Sequence, residues 1–262
     1  MPELLALLIP AENPPGTELQ EALVEAQGLL AAARPDLLVT IDAGWRPKAF
    51  AVGAGPVTAD EARRYQAPGA PAFAEVLIDT AIGYGLPSFT EEAPLTPEVA
   101  AVLAALWPAG DVPVLPLGVA TASPSLLQEF GQAISAAGRT LGQRVVALCV
   151  GAIARDHQAE HDGRENAAVR RFGELVLERM ERSGGEELFD IDGALWVQAH
   201  PETDLCHLAL LLGATGIDPR CRVLGRHAGP GTFAATVALY RGDALPFGSD
   251  RGFSAADHPK PL

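Results

Sequence analysis

Apolar residues fall along this chain in two rhythms. Leu4 to Ile9, Leu37 to Ile41 and Arg144 to Val150 are short, nearly continuous apolar runs, the pattern of strands covered on both faces. Between the first two, Leu19, Leu23, Ala26, Leu30 and Ala31 recur at helical spacing after a capping box of Thr17 and Gln20, and the helix should end before Arg34-Pro35. This predicts a strand, helix, strand unit whose strands are parallel neighbours. Ala49 to Val52 suits a short strand before a polar segment from Thr58 to Gln66. Pro71 opens a helix through Ile82, and Thr96-Pro97-Glu98 caps another through Leu106. Val112 to Leu117 reads as a strand, but Pro113 and Pro116 predict that it lies at an edge or a bulge.

Ser123-Pro124 caps a long helix through Gly138. Glu165 to Arg182 is amphipathic, with Val169, Phe172, Val176, Leu177 and Met180 on one side. Asp204 to Leu212 predicts an apolar helix ending at Gly213, followed by strands near Arg222 to Leu224 and Thr232 to Tyr240. The alternation implies an α/β fold: a single domain over residues 1–241, with a mixed or mostly parallel central sheet and helices on both faces. The tail, residues 242–262, carries Pro246, Gly248, Gly252, Pro259 and Pro261 and is expected to be partly disordered.

Composition narrows the function classes. A formal net charge of -14 at pH 7 in 262 residues, without clustered Lys and Arg, argues against a nucleic-acid partner and an anionic membrane surface. Met1-Pro2-Glu3 lacks the basic start of a secretory signal, and the apolar runs are too short to span a bilayer as helices, so a soluble cytoplasmic protein is expected. Cys149, Cys206 and Cys221 are scattered without CxxC spacing, which supports neither a disulfide framework nor a structural zinc site.

The chemistry gathers at four turns: Ile9-Pro10-Ala11, Ile41-Asp42-Ala43-Gly44, Gly151-Ala152-Ile153-Ala154-Arg155 and His227-Ala228-Gly229-Pro230. Each follows or borders a strand candidate, and in open α/β sheets such turns converge at the carboxyl ends of the strands. With Arg34-Pro35-Asp36, Pro113-Val114-Leu115-Pro116-Leu117, Phe130-Gly131-Gln132-Ala133-Ile134 and Leu210-Leu211-Leu212-Gly213-Ala214, these turns make the chain resemble the LigB-type class III extradiol ring-cleavage dioxygenases over most of residues 3–240. The resemblance implies that fold, shared with the Memo proteins, and an Fe(II) cofactor that opens catechol-like aromatic rings.

In that family the first two turns end in metal-binding histidines, the third resembles GDLSH with a catalytic histidine, and the fourth supplies a glutamate. Here the ligand positions carry Ala11, Ala43 and Ala228. A methyl group has no lone pair to give a metal, whereas the two-histidine, one-carboxylate triad of non-haem Fe(II) needs three donors. In the third turn, alignment without a gap puts Arg155 at the catalytic position, where its fixed charge suits an anionic ligand; a two-residue slip puts His157 there as an acid or base.

The expectation is therefore a homologue that has lost its iron, a pseudoenzyme or small-ligand-binding protein with no cofactor. Its pocket would be lined by Ala11, Glu12, Asp42, Ala43, Trp45, His227 and Ala228 and would take a small aromatic or anionic ligand. Glu12 and Asp42 can act as a carboxylate pair, although a turn role also accounts for Asp42. Trp45 suits an aromatic ligand. The alternatives are an active dioxygenase with a metal site rebuilt from His157, His161, His200 or His227, a metal-free acid-base catalyst, and a Memo-like interaction scaffold. His157 and His161 stand one helical turn apart beside Asp156, Glu160 and Asp162, which suits either a displaced metal site or a solvated helix start. The resemblance also carries a homodimer.

Overall fold

The computed structural model describes residues 3–11, 18–43, 45, 47, 49–58, 65–91, 95–183, 187–216 and 219–241. In chain order these form β1 (Glu3–Ile9), α1 (Glu18–Ala33), β2 (Leu37–Asp42), β3 (Phe50–Gly53), β4 (Val57–Thr58), β5 (Gln66–Ala67), α2 (Pro71–Gly83), β6 (Ser88–Glu91), α3 (Pro97–Leu106), β7 (Val114–Gly118) and α4 (Pro124–Leu141). They continue with β8 (Val145–Val150), β9 (Ala154–Arg155), α5 (His157–His161), α6 (Ala167–Ser183), α7 (Gly193–Ala199), a tight turn at Glu202–Leu205, α8 (Cys206–Thr215), β10 (Arg220–Gly229) and β11 (Thr232–Arg241). Thr17, Glu12 and the tail from Gly242 lie outside the described residues.

The main sheet runs β10-β11-β1-β8-β2-β7-β3-β6, with β9 paired to β11. β1, β8, β2 and β7 are parallel; β11 runs against β1, and β3 against β7. The chain is thus a single-domain α/β protein with a mixed sheet. β1 and β2 are parallel but not neighbours, contrary to expectation, because β8 lies between them and pairs with both.

Strand alternation divides the core. Ala6, Leu8, Val39, Ile41, Leu115, Leu117, Ala147 and Cys149 face the helices α2, α4, α6 and α8, while Leu7, Ile9, Leu38, Val114, Leu148 and Val150 face α1 and α3. Buried on both faces, the central strands read as continuous apolar runs.

Caps start the helices where the sequence places them. Thr96 accepts from the Val99 N–H and Ser123 from the Leu126 N–H, each followed by proline at the first helical position. The predicted face of α6 is buried at Val169, Phe172, Val176, Leu177 and Met180. α8 is buried almost all round, because α4 lies directly against it. A Cβ on Gly213 would stand 2.1 Å from the Gln128 carbonyl oxygen, and one on Gly131 would stand 2.4 Å from that of Leu210. The fragments around Gly131 and Gly213 are therefore packing partners, and glycine at both positions sets how closely the helices approach.

The proline-bearing strand β7 lies inside the sheet, which corrects the expectation of an edge or bulge. The Leu38 N–H donates to the Pro113 carbonyl at 3.0 Å, so the alternation of the parallel ladder turns residues 113, 115 and 117 toward β2 and Pro116 toward β3. On that side the pairing is reduced to Val52 with Leu117, so the missing proline donor leaves little unmatched. α8 also begins at Cys206 rather than Asp204, after a turn of different hand. Among the described residues no helix is long and apolar enough to cross a membrane.

Candidate functional site

Parallel alignment of β1, β2 and β8 brings their carboxyl ends to one edge of the sheet, and the antiparallel β10–β11 hairpin delivers its tip to the same edge. All four turns meet there. The Gly151 N–H donates to the Ile9 carbonyl at 3.1 Å and the Ala43 N–H to that of Val150 at 3.4 Å. Ile153 N–H donates to Phe233, and Asp156 N–H to Gly231 at 2.7 Å. Gly231, with φ at 63°, allows the hairpin tip to lie against α5, where a Cβ would stand 2.4 Å from the Glu160 nitrogen.

Two recesses open at this edge, with Arg155 in the wall of both. The smaller, about 170 Å³, has an apolar floor of Leu19, Ala152 and Ala234, with Ala11, His227 and Thr232 around it. The larger, about 480 Å³, is lined by Ala43, His157, Trp196, His200 and Glu202 among others. Arg155 Nε lies 3.7 Å from Glu160 Oε2, and His157 Nδ1 lies 3.8 Å from the same oxygen.

Ala11 and Ala43 thus face different recesses. His227 lines the smaller one, its Nε2 2.9 Å from where a Cβ of Gly229 would stand. Ala228 does not line it: it packs against the larger core cluster, because neighbours on a strand face opposite sides. Trp45 lines neither recess, because it lies over Gly118, whose Cβ would fall 2.9 Å from the indole. Asp42 is buried at the end of β2 and also lines neither.

His157 and His161 do form the two ends of α5, which Asp156 caps through the Gln158 and Ala159 N–H groups. The Ala159 bond, followed by one from the Asn166 side chain, lowers the Asp156 carboxyl below its ordinary range. His157 lines the larger recess, whereas His161 is exposed and lines neither. His200 lines the larger recess and His227 the smaller, so the four histidines do not share one cavity.

Among the described residues no three His, Cys, Asp or Glu side chains come together in a group that can hold a metal. With alanine at positions 11, 43 and 228, the residues present do not fit the Fe(II) triad that the resemblance implies.

Glu202, like Thr232 and Trp196, lines a recess and was missed by the sequence reading. Its Oε2 accepts a short hydrogen bond from the Ala152 N–H and lies 3.3 Å from where a Gly151 Cβ would stand, beside Ala43. Burial raises its carboxyl above the ordinary range. The Ala152 bond, Arg155 and His157 pull the other way, and Asp42 pushes with the burial. Pro201 bridges to Ala154, Glu202 N–H donates to Ile153, and His200 accepts from the Arg155 N–H at 3.0 Å.

The backbone on both sides is left-handed: φ is 50° at His200, 50° at Thr203, 53° at Asp204 and 57° at Leu205. Each such non-glycine residue costs on the order of 1 kcal/mol or more, and strain of this kind gathers at functional sites. No periodicity or turn motif in the sequence signals three left-handed residues in a row, so Glu202 carried no local mark.

No family profile matches the chain, and no curated protein matches it. Among solved structures it is similar to the crystal structure of the uncharacterized protein JW3007 from Escherichia coli K12. The TM-score is 0.72 at 18% identity, over 90% of this chain and 99% of that one. At that identity the likeness shows the fold alone, a single α/β domain with helices on a mixed central sheet.

Proposed function

We propose that this protein is a LigB-type homologue of the class III extradiol dioxygenases that has lost its Fe(II) site and binds a small aromatic or anionic ligand at the carboxyl ends of its central strands. The observation that carries the reading is the convergence of the four turns with methyl groups at positions 11 and 43 and a carboxylate, Glu202, close to Gly151. Arg155 supplies a fixed positive charge to both recesses, so an anion can be held there without a metal.

Metal analysis of protein purified with and without air tests this. The expected result is no stoichiometric iron, manganese, zinc or copper, and no oxygen consumption with catechol after anaerobic Fe(II) loading; ring cleavage in that assay sinks the reading.

A second reading, metal-free acid-base chemistry in the larger recess, draws on Glu202: a carboxyl raised by burial next to Arg155 and His157 is a candidate for proton exchange. A turnover lost in Glu202→Gln and retained in His157→Gln would favour it. The homodimer carried by the resemblance is tested by light scattering on the purified chain.

A further inference from the structure

Two residues in the wall of the smaller recess, Arg155 and Thr232, carry unmatched polar atoms, and of the two only Arg155 also lines the larger recess. Arg155 Nε and Thr232 Oγ1 are both buried, and neither has a hydrogen-bond partner among the described residues. Arg155 and Thr232 are register partners in the β9–β11 ladder, which places their side chains on the same face. Both line the smaller recess. Glu160 Oε2, at 3.7 Å from Arg155 Nε, is too far to accept its hydrogen.

Buried donors are ordinarily satisfied, so two unmatched polar atoms on paired residues point to an acceptor between them. Beneath them the floor is apolar, with Leu19, Ala152 and Ala234 forming a cluster of their own. The combination of a guanidinium, a hydroxyl and an apolar floor in about 170 Å³ suits a charged head with a short hydrocarbon tail. A singly charged head suits it better than a doubly charged one, because Glu160 stands in the same wall and repels each added negative charge.

We propose that the smaller recess binds a short-chain aliphatic monocarboxylate, its head accepting from Arg155 Nε and Thr232 Oγ1 and its tail covering Leu19, Ala152 and Ala234. This names the ligand class of one of the two recesses and rests on the reading of the crevice as a small-ligand site. Arg155 also lines the larger recess, so the two cavities share one cation. Glu160 is half exposed and competes with the ligand for Arg155.

Calorimetric or NMR titration of the whole protein with acetate, propionate, butyrate and propionamide tests the assignment. Saturable binding on the order of 1 mM is expected for so few ligand atoms. Affinity should rise about 4-fold for each methylene that the floor covers. Propionamide, of the same shape without the charge, should bind at least about 10-fold more weakly than propionate. Thr232→Val, which keeps the side-chain shape, should weaken propionate about 5-fold. Glu160→Gln, at a partly exposed position, should strengthen it. Equal affinity for propionate and propionamide, absence of saturation, or no response to both Thr232→Val and Glu160→Gln overturns the proposal. Iron content and catechol turnover measured on the same protein keep the two readings apart: metal-free, inactive protein that ignores propionate defeats only this assignment, whereas iron-loaded turnover defeats the reading beneath it.

Discussion

Two carboxylates grip backbone N–H groups at opposite ends of β8, and they hold their protons with opposite strength. At the amino end, Asp36 Oδ2 accepts from the Arg144 N–H at 2.9 Å while the Arg144 guanidinium binds the same carboxylate through Nε at 3.0 Å and Nη2 at 2.9 Å. That pair lies in water, and the guanidinium holds the Asp36 carboxyl down at about 2. At the carboxyl end, Glu202 accepts from the Ala152 N–H, with Arg155 and His157 acting only through space, and there burial wins and pushes the carboxyl up. A backbone hydrogen bond alone does not fix a carboxylate as a charge; the balance between a directly bound guanidinium and lost hydration does.

The largest effect should come from forcing the carboxyl end back toward the family pattern. Ala43 is 6% exposed, and its Cβ and the Glu202 carboxylate lie 3.1 and 3.3 Å from the point where a Gly151 Cβ would stand, so Ala43→His should crowd Glu202 or the strand end. A loss of about 2 kcal/mol is expected in urea unfolding, the usual scale for overpacking. A variant of unchanged stability that takes up a transition metal would instead show a site pre-shaped for iron and would break the contrast.

Glu202→Gln should have a smaller effect, visible as a slope. Because the folded-state value is raised above the ordinary 4.5, the folded protein keeps a proton that the unfolded chain has lost. The stability tied to that proton is present below 4.5 and is lost as pH rises through the folded value. Glu202→Gln, which can still accept from Ala152, should differ from the wild type by less than about 1 kcal/mol in acid and should remove that loss at higher pH. Parallel curves for the two proteins would refute a raised Glu202.

Asp36→Asn should give the smallest change and the opposite sign of slope. The lowered Asp36 contributes stability above 3.8 that is lost as pH falls toward about 2. With a partly exposed pair, the contribution at neutral pH is at most about 1 kcal/mol and should shrink in high salt. An effect larger than that of Ala43→His would mean that the solvent-exposed clamp, not the packed end, secures β8.

The two ends also differ in how far the sequence announced them. Arg34-Pro35-Asp36 stands directly before an apolar run, and Arg144 directly before another, so both partners of the clamp flank strands that were readable. Ala11, Ala43, Arg155 and His227 were singled out from their turns, and the edge of the sheet brings those turns together. Glu202 was not found, because its place depends on His200 and residues 203–205 adopting left-handed backbone against Ala154 and Ile153, a contact between segments about fifty residues apart. Trp45 and Ala228 stand beside the site in sequence yet lie over Gly118 and against the core, since strand alternation and packing decide which neighbour faces a cavity.

By itself, the sequence determined the order of the principal strands and helices, without the short elements β4, β5, β6, β9 and α7, together with the capped starts at Thr96 and Ser123, the buried face of α6, and the alanines at positions 11, 43 and 228. These depend on periodicity, local hydrogen bonds and side-chain identity, which act within a few residues. Only the tertiary structure decided that β8 separates β1 from β2, that β7 lies inside the sheet despite Pro116, and that Arg155 and Thr232 share a face above an apolar floor. Those outcomes depend on which distant segments pair, and pairing is settled by burial across the whole sheet rather than by any one stretch of chain.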